Sequence, residues 1–107
     1  MSQIIILPQK TSTEALTFNF SFANVLDINE DITSVVVTAT VLSGVDPDPA
    51  LVLGDEPLFT TTDVFVNVKD GISGVIYLIT CDARTEFGPN FYHHIMTGKL
   101  AVVDGGF

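Results

Sequence analysis

The sequence predicts an all-β fold, an antiparallel β-sandwich of about seven strands. Its apolar stretches alternate apolar and polar residues with a period of two, which is typical of half-buried strands. These stretches recur at intervals of about 10 residues and are separated by turn residues, as in two-sheet β domains. No segment of the 107 residues carries a helical period of useful length.

The first two predicted strands show the alternation directly. The stretch "EALTFNFSF" places four apolar side chains on one face, namely Leu16, Phe18, Phe20 and Phe22. After the turn-like "DINED", the run "ITSVVVTATVLSG" is rich in β-branched residues, which favour strands. Its inward set is Val35, Val37, Ala39 and Val41, and Gly44 closes the strand.

The segment "VDPDPALVLGDEP" is predicted to be a loop, because proline cannot donate a hydrogen bond to a central ladder. Within it we expect one short strand at Ala50 to Leu53.

Three further strands follow. "DVFVNVKDG" alternates Val64, Val66 and Val68 against Phe65 and Asn67, and Asp70-Gly71 is a strong turn signal. We expect Gly71 and Gly74 to bracket a hairpin that leads into "GVIYLITCDART". The inward set of that strand is Val75, Tyr77, Ile79, Cys81 and Ala83, and "FYHHIMTGKLAVV" forms the last strand after "EFGPN". The complete pattern is that of an immunoglobulin-like β-sandwich.

The chain is expected to form a single domain over residues 1–107, with an N-terminal arm at 1–13 and a flexible tail at 104–107. A chain of this size buries about 65% of its unfolded surface, which suffices for folding without disulfides. No apolar run approaches the roughly 20 residues that span a bilayer. The start "MSQIIILPQK" lacks the basic region and cleavage site of a signal peptide, so we expect folding in a cytoplasm.

Charge and cysteine content exclude several classes of protein. The formal net charge is −9, and Lys10, Lys69, Arg84 and Lys99 are the only basic residues. They cannot form the basic stripe that a phosphate backbone requires, so neither nucleic acid nor an anionic membrane is an expected partner. The single cysteine, Cys81, rules out an internal disulfide.

Candidate metal sites are weak. His93 and His94 are adjacent in a predicted strand, where successive side chains point to opposite faces, so they cannot readily bind one ion together. We expect one of them to be partly packed and the other to lie at the surface or at an interface. Asp46, Asp48, Asp55 and Glu56 form the densest carboxylate cluster, and calcium binding there stays an alternative to a solvated turn.

Catalytic chemistry is not expected. Cys81 lies in mid-strand on the inward face, where a buried, inert thiol is the default. The sequence offers no combination of nucleophile, base and oxyanion donors, and no phosphate-binding loop. It predicts a protein that is not an enzyme and needs no cofactor.

Apolar residues on the outward face point to protein contacts instead. Val36, Ile76 and Leu78 alternate out of phase with the inward set, where a solvated face would carry polar residues. Such surface usually marks an interface. The "IIIL" segment could cover it within the same chain or pair with a neighbour's edge strand. We expect partner contacts from three regions: Ile4, Ile5 and Ile6; Asp46, Asp48 and Asp55; and Val36, Ile76 and Leu78.

The stretch "TDVFVNVKDGISGVIYLITCDARTEFG" resembles the small immunoglobulin-like structural proteins of tailed bacteriophages, where "G-x-x-G-x-x-Y" and "T-x-x-G" recur before the last strand. The earlier "LTFNFSFANVLDINEDITSVVVTAT" is similar to their first half, and the resemblance covers about residues 14–103. The Pro-rich insert at 46–57 is a departure from it.

The resemblance implies a virion component, assembled in the host cytoplasm. Proteins of this group act as fibre-to-tail adaptors, head decoration proteins or tail accessory modules. The expected partners are therefore other virion proteins of the tail, fibre or head, and a homo-oligomer or symmetric array is expected. The alternative function is a bacterial cell-surface or carbohydrate-binding module of immunoglobulin-like type, for which Phe87, Phe91 and Tyr92 near one turn are the candidate aromatic residues.

Overall fold

The computed structural model describes the backbone of residues 2–104 and the side chains of residues 4–104. Seven strands and one short 3-10 helix occur in this part of the chain. The strands are β1 (Ser2–Ile6), β2 (Leu16–Ser21), β3 (Asp31–Ser43), β4 (Leu58–Phe59), β5 (Asp63–Val68), β6 (Ile76–Phe87) and β7 (Asn90–Ala101). The 3-10 helix, Pro49–Val52, lies between β3 and β4.

The strands form two sheets. One has four strands in the order β1-β7-β6-β3, and the other has three in the order β2-β5-β4. All pairs are antiparallel except β1 with β7, which run parallel. The all-β prediction of two packed sheets is therefore confirmed.

The core lies between the two sheets and is built by the predicted alternation. Phe18 and Phe20 of β2 are buried, and so are Val64, Val66 and Val68 of β5. The inward residues predicted for "GVIYLITCDART", which contains most of β6, are nearly or fully buried as well. They are Val75, Tyr77, Ile79, Cys81 and Ala83. On β3, Ala39 is buried, while Val35, Val37 and Val41 pack against the core with part of their surface exposed.

The short strand expected at Ala50–Leu53 is wrong, because Pro49–Val52 forms a 3-10 helix. Proline fixes its own φ and lacks an N–H, which suits the first helical turn. The segment then closes local bonds, from Leu51 N–H to Asp48 O (3.1 Å) and from Leu53 N–H to Ala50 O (3.1 Å). Val52 anchors the helix in the core at 1% exposure. Four apolar residues in a row do not distinguish a strand from a single turn.

The hairpin expected around Gly71 and Gly74 is also wrong. Asp70 and Gly71 do adopt positive φ values of 52° and 98°, so the turn itself is present. However, β5 pairs with β2 and β4, whereas β6 pairs with β3 and β7. The segment between β5 and β6 therefore carries the chain from one sheet to the other. Turn chemistry is local, but strand pairing is decided by the core.

The hairpin of the four-stranded sheet joins β6 to β7. Phe87 pairs with Asn90, so Gly88 and Pro89 form a two-residue loop. Gly88 has a φ of 62°, and a positive φ at the first central position is what such tight loops require. Both strands of the hairpin have 12 residues, so the two strands pair along their full length.

The N-terminal segment is part of the four-stranded sheet. Residues Ser2 to Ile6 of β1 pair with Ile95 to Lys99 of β7. Leu7 then fills a notch at Gly98, where an added Cβ would lie 2.7 Å from Leu7 Cδ1. At the other end of the chain, Asp104 accepts a bond from Ser12 N–H (2.7 Å). The rest of the predicted tail, residues 105–107, lies outside the described residues, as does Met1 of the predicted arm.

We expect Gly98→Ala to destabilise the protein by about 1–3 kcal/mol, because the new methyl group overlaps Leu7 in a packed site. The change Leu7→Ala removes the overlapping atoms. The double variant should therefore be more stable than the sum of the two single effects predicts, and urea unfolding measures all four proteins. Additivity within about 0.5 kcal/mol would show that Leu7 and Gly98 do not contact each other.

Candidate functional site

The outer surface of the four-stranded sheet is the most distinctive surface of the molecule. Its side chains lie in rows that cross the strands, such as Ile6, Lys99, Leu78 and Thr40 in one row and Ile4, Thr97, Thr80 and Thr38 in the next. A third row joins Ile95, Asp82 and Val36. We call the apolar side chains of this surface the apolar face, and they are Ile4, Ile6, Val36, Leu42, Ile76, Leu78 and Ile95.

Several members of the apolar face are strongly exposed. Ile4 and Ile6 on the edge strand are 67% and 75% exposed, and Val36 is 51% exposed. Ile76 and Leu78 on the central strand are half-buried, because neighbouring strands shield them. Adjacent aliphatic groups left in water are typical of a surface that binds another protein.

The outer surface of the other sheet is different. There, Thr17 Oγ1 donates to Asn67 Oδ1 (2.6 Å) across β2 and β5, and Ser21 Oγ donates to Asp63 Oδ1 (3.0 Å). Polar side chains that bond to one another on an exposed sheet are what water contact favours. The two outer surfaces therefore differ in chemistry. On the three-stranded sheet, Leu58 and Phe65 form one apolar pair beside these polar groups, whereas the four-stranded sheet carries outward aliphatic side chains on all four strands.

Charge is also distributed unevenly. The rows from Ser34 to Thr40 on β3 contain one carboxylate, Asp82, against two basic groups, Arg84 and Lys99. The chain as a whole has thirteen acidic and four basic residues. Most of the negative charge consequently lies away from the apolar face, and a partner can approach this face without meeting the net charge of −9 directly.

The structure brings together two of the three regions expected to contact partners. Val36, Ile76 and Leu78 lie on the apolar face, and Ile4 and Ile6 of β1 extend it at the sheet edge. Ile5 points the other way and packs against the core. The N-terminal strand thus widens this surface instead of covering it.

Sequence reasoning missed two members of the apolar face. Ile95 follows His93 and His94, and that stretch was considered only for metal binding by the histidines. Leu42 lies at an irregularity of the β3–β6 register, between Val41 and Ser43, so its direction does not follow from simple alternation. The alternation signal could have found Ile95, because it lies one residue from the inward Met96.

The acidic loop lies apart from this face, and its carboxylates are dispersed. Asp46 accepts a bond from Tyr77 Oη (2.6 Å) and another from Asp48 N–H (2.9 Å). Asp55 lies beyond the 3-10 helix beside Asn67 and Lys69. Among the described side chains, no three acidic, histidine or cysteine groups lie close enough to hold a metal ion.

The two histidines have different environments, as predicted. His93 is exposed, with Nδ1 3.2 Å from Asp82 Oδ1. His94 is largely covered, with Nε2 2.7 Å from Oε2 of the buried Glu30. An ionised carboxylate only accepts hydrogen bonds, so the His94 nitrogen that faces Glu30 carries a proton.

Glu30 is the centre of a buried polar cluster that sequence reasoning missed. Its Oε2 accepts from Thr85 Oγ1 as well as from His94, and its Oε1 accepts from Asp27 N–H (3.0 Å). Burial alone would raise the pKa of Glu30, but these hydrogen bonds outweigh burial and hold the pKa below its ordinary value of 4.5. The cluster fastens the loop before β3 to the β6–β7 hairpin.

Cys81 is fully buried, which confirms the prediction of a buried thiol. Burial raises the pKa of this thiol to about 12, and the neighbouring Asp82 adds to the effect. A thiolate is the reactive form of cysteine, so this side chain is poorly suited to nucleophilic chemistry.

Comparisons with protein-family models, curated proteins and solved structures found no match to this chain. In the part of the chain that the structure describes, no helix has the length and hydropathy needed for a membrane crossing. The fold and its surface define a two-sheet all-β domain with outward aliphatic side chains on all four strands of one sheet.

We expect Glu30→Gln to lower the free energy of unfolding at pH 7 by about 1–3 kcal/mol, because charge-assisted bonds in a buried site are lost. The pKa of Glu30 is depressed in the folded state, so its contribution is present above pH 4.5 and is lost as the pH falls through the lower folded value. Urea unfolding at a series of pH values should show the two proteins converging in acid. The control is Glu56→Gln, because Glu56 is exposed. An equal loss of unfolding free energy in both variants would show that the buried hydrogen bonds of Glu30 do not stabilise the fold.

The Cys81 thiol should react with an aromatic disulfide reagent at neutral pH only after unfolding, because it is buried and protonated. Absorbance at a series of urea concentrations should follow the unfolding transition. A full reaction within seconds in the native protein would mean that the β6 strand opens far more readily than its burial indicates.

Proposed function

We propose that this protein is a non-enzymatic structural component of a tailed phage virion. In this role it acts as an adaptor or accessory module that joins tail, fibre or head proteins through protein–protein contacts. The apolar face is the observation that carries the proposal, because exposed aliphatic groups on all four strands of one sheet favour contact with another protein. The virion context is supported by the resemblance of residues 14–103 to phage immunoglobulin-like proteins.

The strand order supports an immunoglobulin-like assignment within this proposal. If β2 to β7 are equated with strands B to G, the sheets become B-E-D and C-F-G, and β1 is added beside G. Tyr77, near the start of β6, accepts a bond from Ile72 N–H (2.9 Å), which is the geometry of a tyrosine corner. One departure is Cys81, which follows Tyr77 by four positions where immunoglobulins place a cysteine after two.

The apolar face suits a second copy of the chain or a structural protein with a complementary aliphatic surface. Burial of apolar area contributes about 25 cal/mol per Å² to the free energy of association, so the apolar face can form a contact without any bound ligand. On the apolar face, Lys99 and Arg84 offset Asp82, so self-association meets little repulsion there.

A carbohydrate-binding module is the second candidate, and the hairpin tip is what favours it. Phe87, Phe91 and Tyr92 are 36%, 72% and 42% exposed near Gly88. Tyr92 pairs with the inward Thr85, whereas Phe91 pairs with Glu86 on the opposite side of the hairpin. The three rings therefore do not share one stacking platform. Calorimetric titration with oligosaccharides distinguishes this candidate from the structural one.

We expect the double variant Ile76→Ser, Leu78→Ser to weaken assembly at least about tenfold, because it removes aliphatic area from the centre of the apolar face. Light scattering across a dilution series, alone and with purified tail and fibre proteins of a candidate phage, measures the effect. Circular dichroism should show an intact fold, because both side chains face outward.

The matched control is Ile28→Ser, Val45→Ser, which removes aliphatic groups that are 84% and 81% exposed on loops. It should assemble normally. Unchanged assembly of the Ile76, Leu78 variant would exclude the apolar face as the contact. A wild-type chain that stays monomeric with every virion protein would count against the proposed function itself.

A further inference from the structure

The N-terminal arm, residues 2–7, is held by one neighbour in the sheet. Its backbone pairs with β7 in parallel from Ser2 to Ile6, and Leu7 N–H donates to Lys99 O (2.9 Å). Of its outward side chains, Ile4 and Ile6 remain mostly exposed. The arm is therefore an edge strand that packs Ile5 and Leu7 against the core within one molecule and leaves Ile4 and Ile6 in water.

The inward side of the arm is matched to a specific acceptor. Leu7 is 7% exposed and lies in the notch left by the missing side chain of Gly98, which Phe20 closes from below. Ile5, the register partner of Gly98, packs against the core two residues before Leu7. The acceptor is thus the edge of β7 with a notch at Gly98. Ile5 and Leu7 of the arm fit this edge, and Leu7 fills the notch.

The chain is fixed again immediately after the arm. Lys10 N–H donates to Ala101 O (3.2 Å), and Lys10 O accepts from Val103 N–H (2.9 Å). The side chain of Lys10 is buried, and its ammonium group donates to the carbonyl oxygens of Thr11 (2.5 Å) and Asp70. From Lys10 onward the fold is consequently held by its own contacts.

A short hinge separates the arm from this anchor. Pro8 and Gln9 are exposed and belong to no strand. Three residue steps from Leu7 to Lys10 span at most about 10 Å, so the arm can leave its own β7 only if another β7 edge is close by. Such proximity exists only where copies are already assembled, and exchange of an identical element between copies is a low-cost route to association.

We infer that the N-terminal arm is exchanged between neighbouring copies of this chain. The arm of one copy docks in parallel on β7 of the next, with its Leu7 in that copy's Gly98 notch and with Ile4 and Ile6 on that copy's apolar face. The same contacts form as within one chain, so exchange costs little, and in an assembly each exchanged arm adds a second link between copies that are already in contact. This inference rests on the proposed assembly of copies and names the segment that links them.

Cross-linking between two single-cysteine variants tests the exchange. Ile4 and Thr97 are register partners on the outer surface, and adjacent strands place paired residues within disulfide range. Ile4→Cys and Thr97→Cys proteins, one of them isotope-labelled, are mixed at assembling concentration and oxidised. The native Cys81 stays in both because it is fully buried. Mass spectrometry should find a disulfide between position 4 of one copy and position 97 of the other.

The control mixture is Ile4→Cys with Thr38→Cys, because Thr38 ends the same row at the opposite edge of the sheet. Exchange predicts several-fold more 4–97 than 4–38 product, and adding Leu7→Ala to the Ile4→Cys chain should reduce the excess. Equal yields of the two products, or assembly with no product between copies, would overturn the exchange and leave the proposed function intact. Wild-type protein that stays monomeric alone and with every virion protein, together with cysteine variants that give no cross-link, would overturn both.

Discussion

The strand β6 is the element on which the rest of the structure depends. It is the only described strand with two long antiparallel partners, β3 on one side and β7 on the other. Its inward side chains, from Tyr77 to Ala83, are fully buried against the opposite sheet. Because side chains alternate along a strand, the same 12 residues must place Ile76 and Leu78 on the outside. The core and the apolar face are therefore two sides of one pattern.

Polar contacts between distant segments hold the loops on this frame. Tyr77 connects the acidic loop to the turn before β6 through Asp46 and Ile72. Glu30 connects the loop before β3 to the hairpin through Thr85 and His94. The contact of Glu30 with Thr85 is buried, whereas those of Tyr77 are partly buried. A buried hydrogen bond that is lost to mutation leaves its partner group unsatisfied, so we expect the Glu30 cluster to contribute more to stability.

The proposed role needs an aliphatic surface, a means of joining copies and little opposing charge. The apolar face supplies the first, and two basic groups beside Asp82 supply the last. The arm at residues 2–7 is the candidate for joining copies, since its acceptor notch and its anchor at Lys10 are both well defined while its hinge is exposed. Under this view, the acidity of the chain keeps the unassembled protein soluble.

The sequence by itself determined the strands β2, β3, β5, β6 and β7 and their inward faces, because a period of two is a local property that needs no knowledge of the partner strand. Val36, Ile76 and Leu78 could be placed outward for that reason, and the different environments of His93 and His94 followed as well. Only the tertiary structure decided that β5 and β6 lie in different sheets and that Glu30 meets His94. These features depend on which distant segments bury their surfaces against each other, and no window of neighbouring residues contains that information.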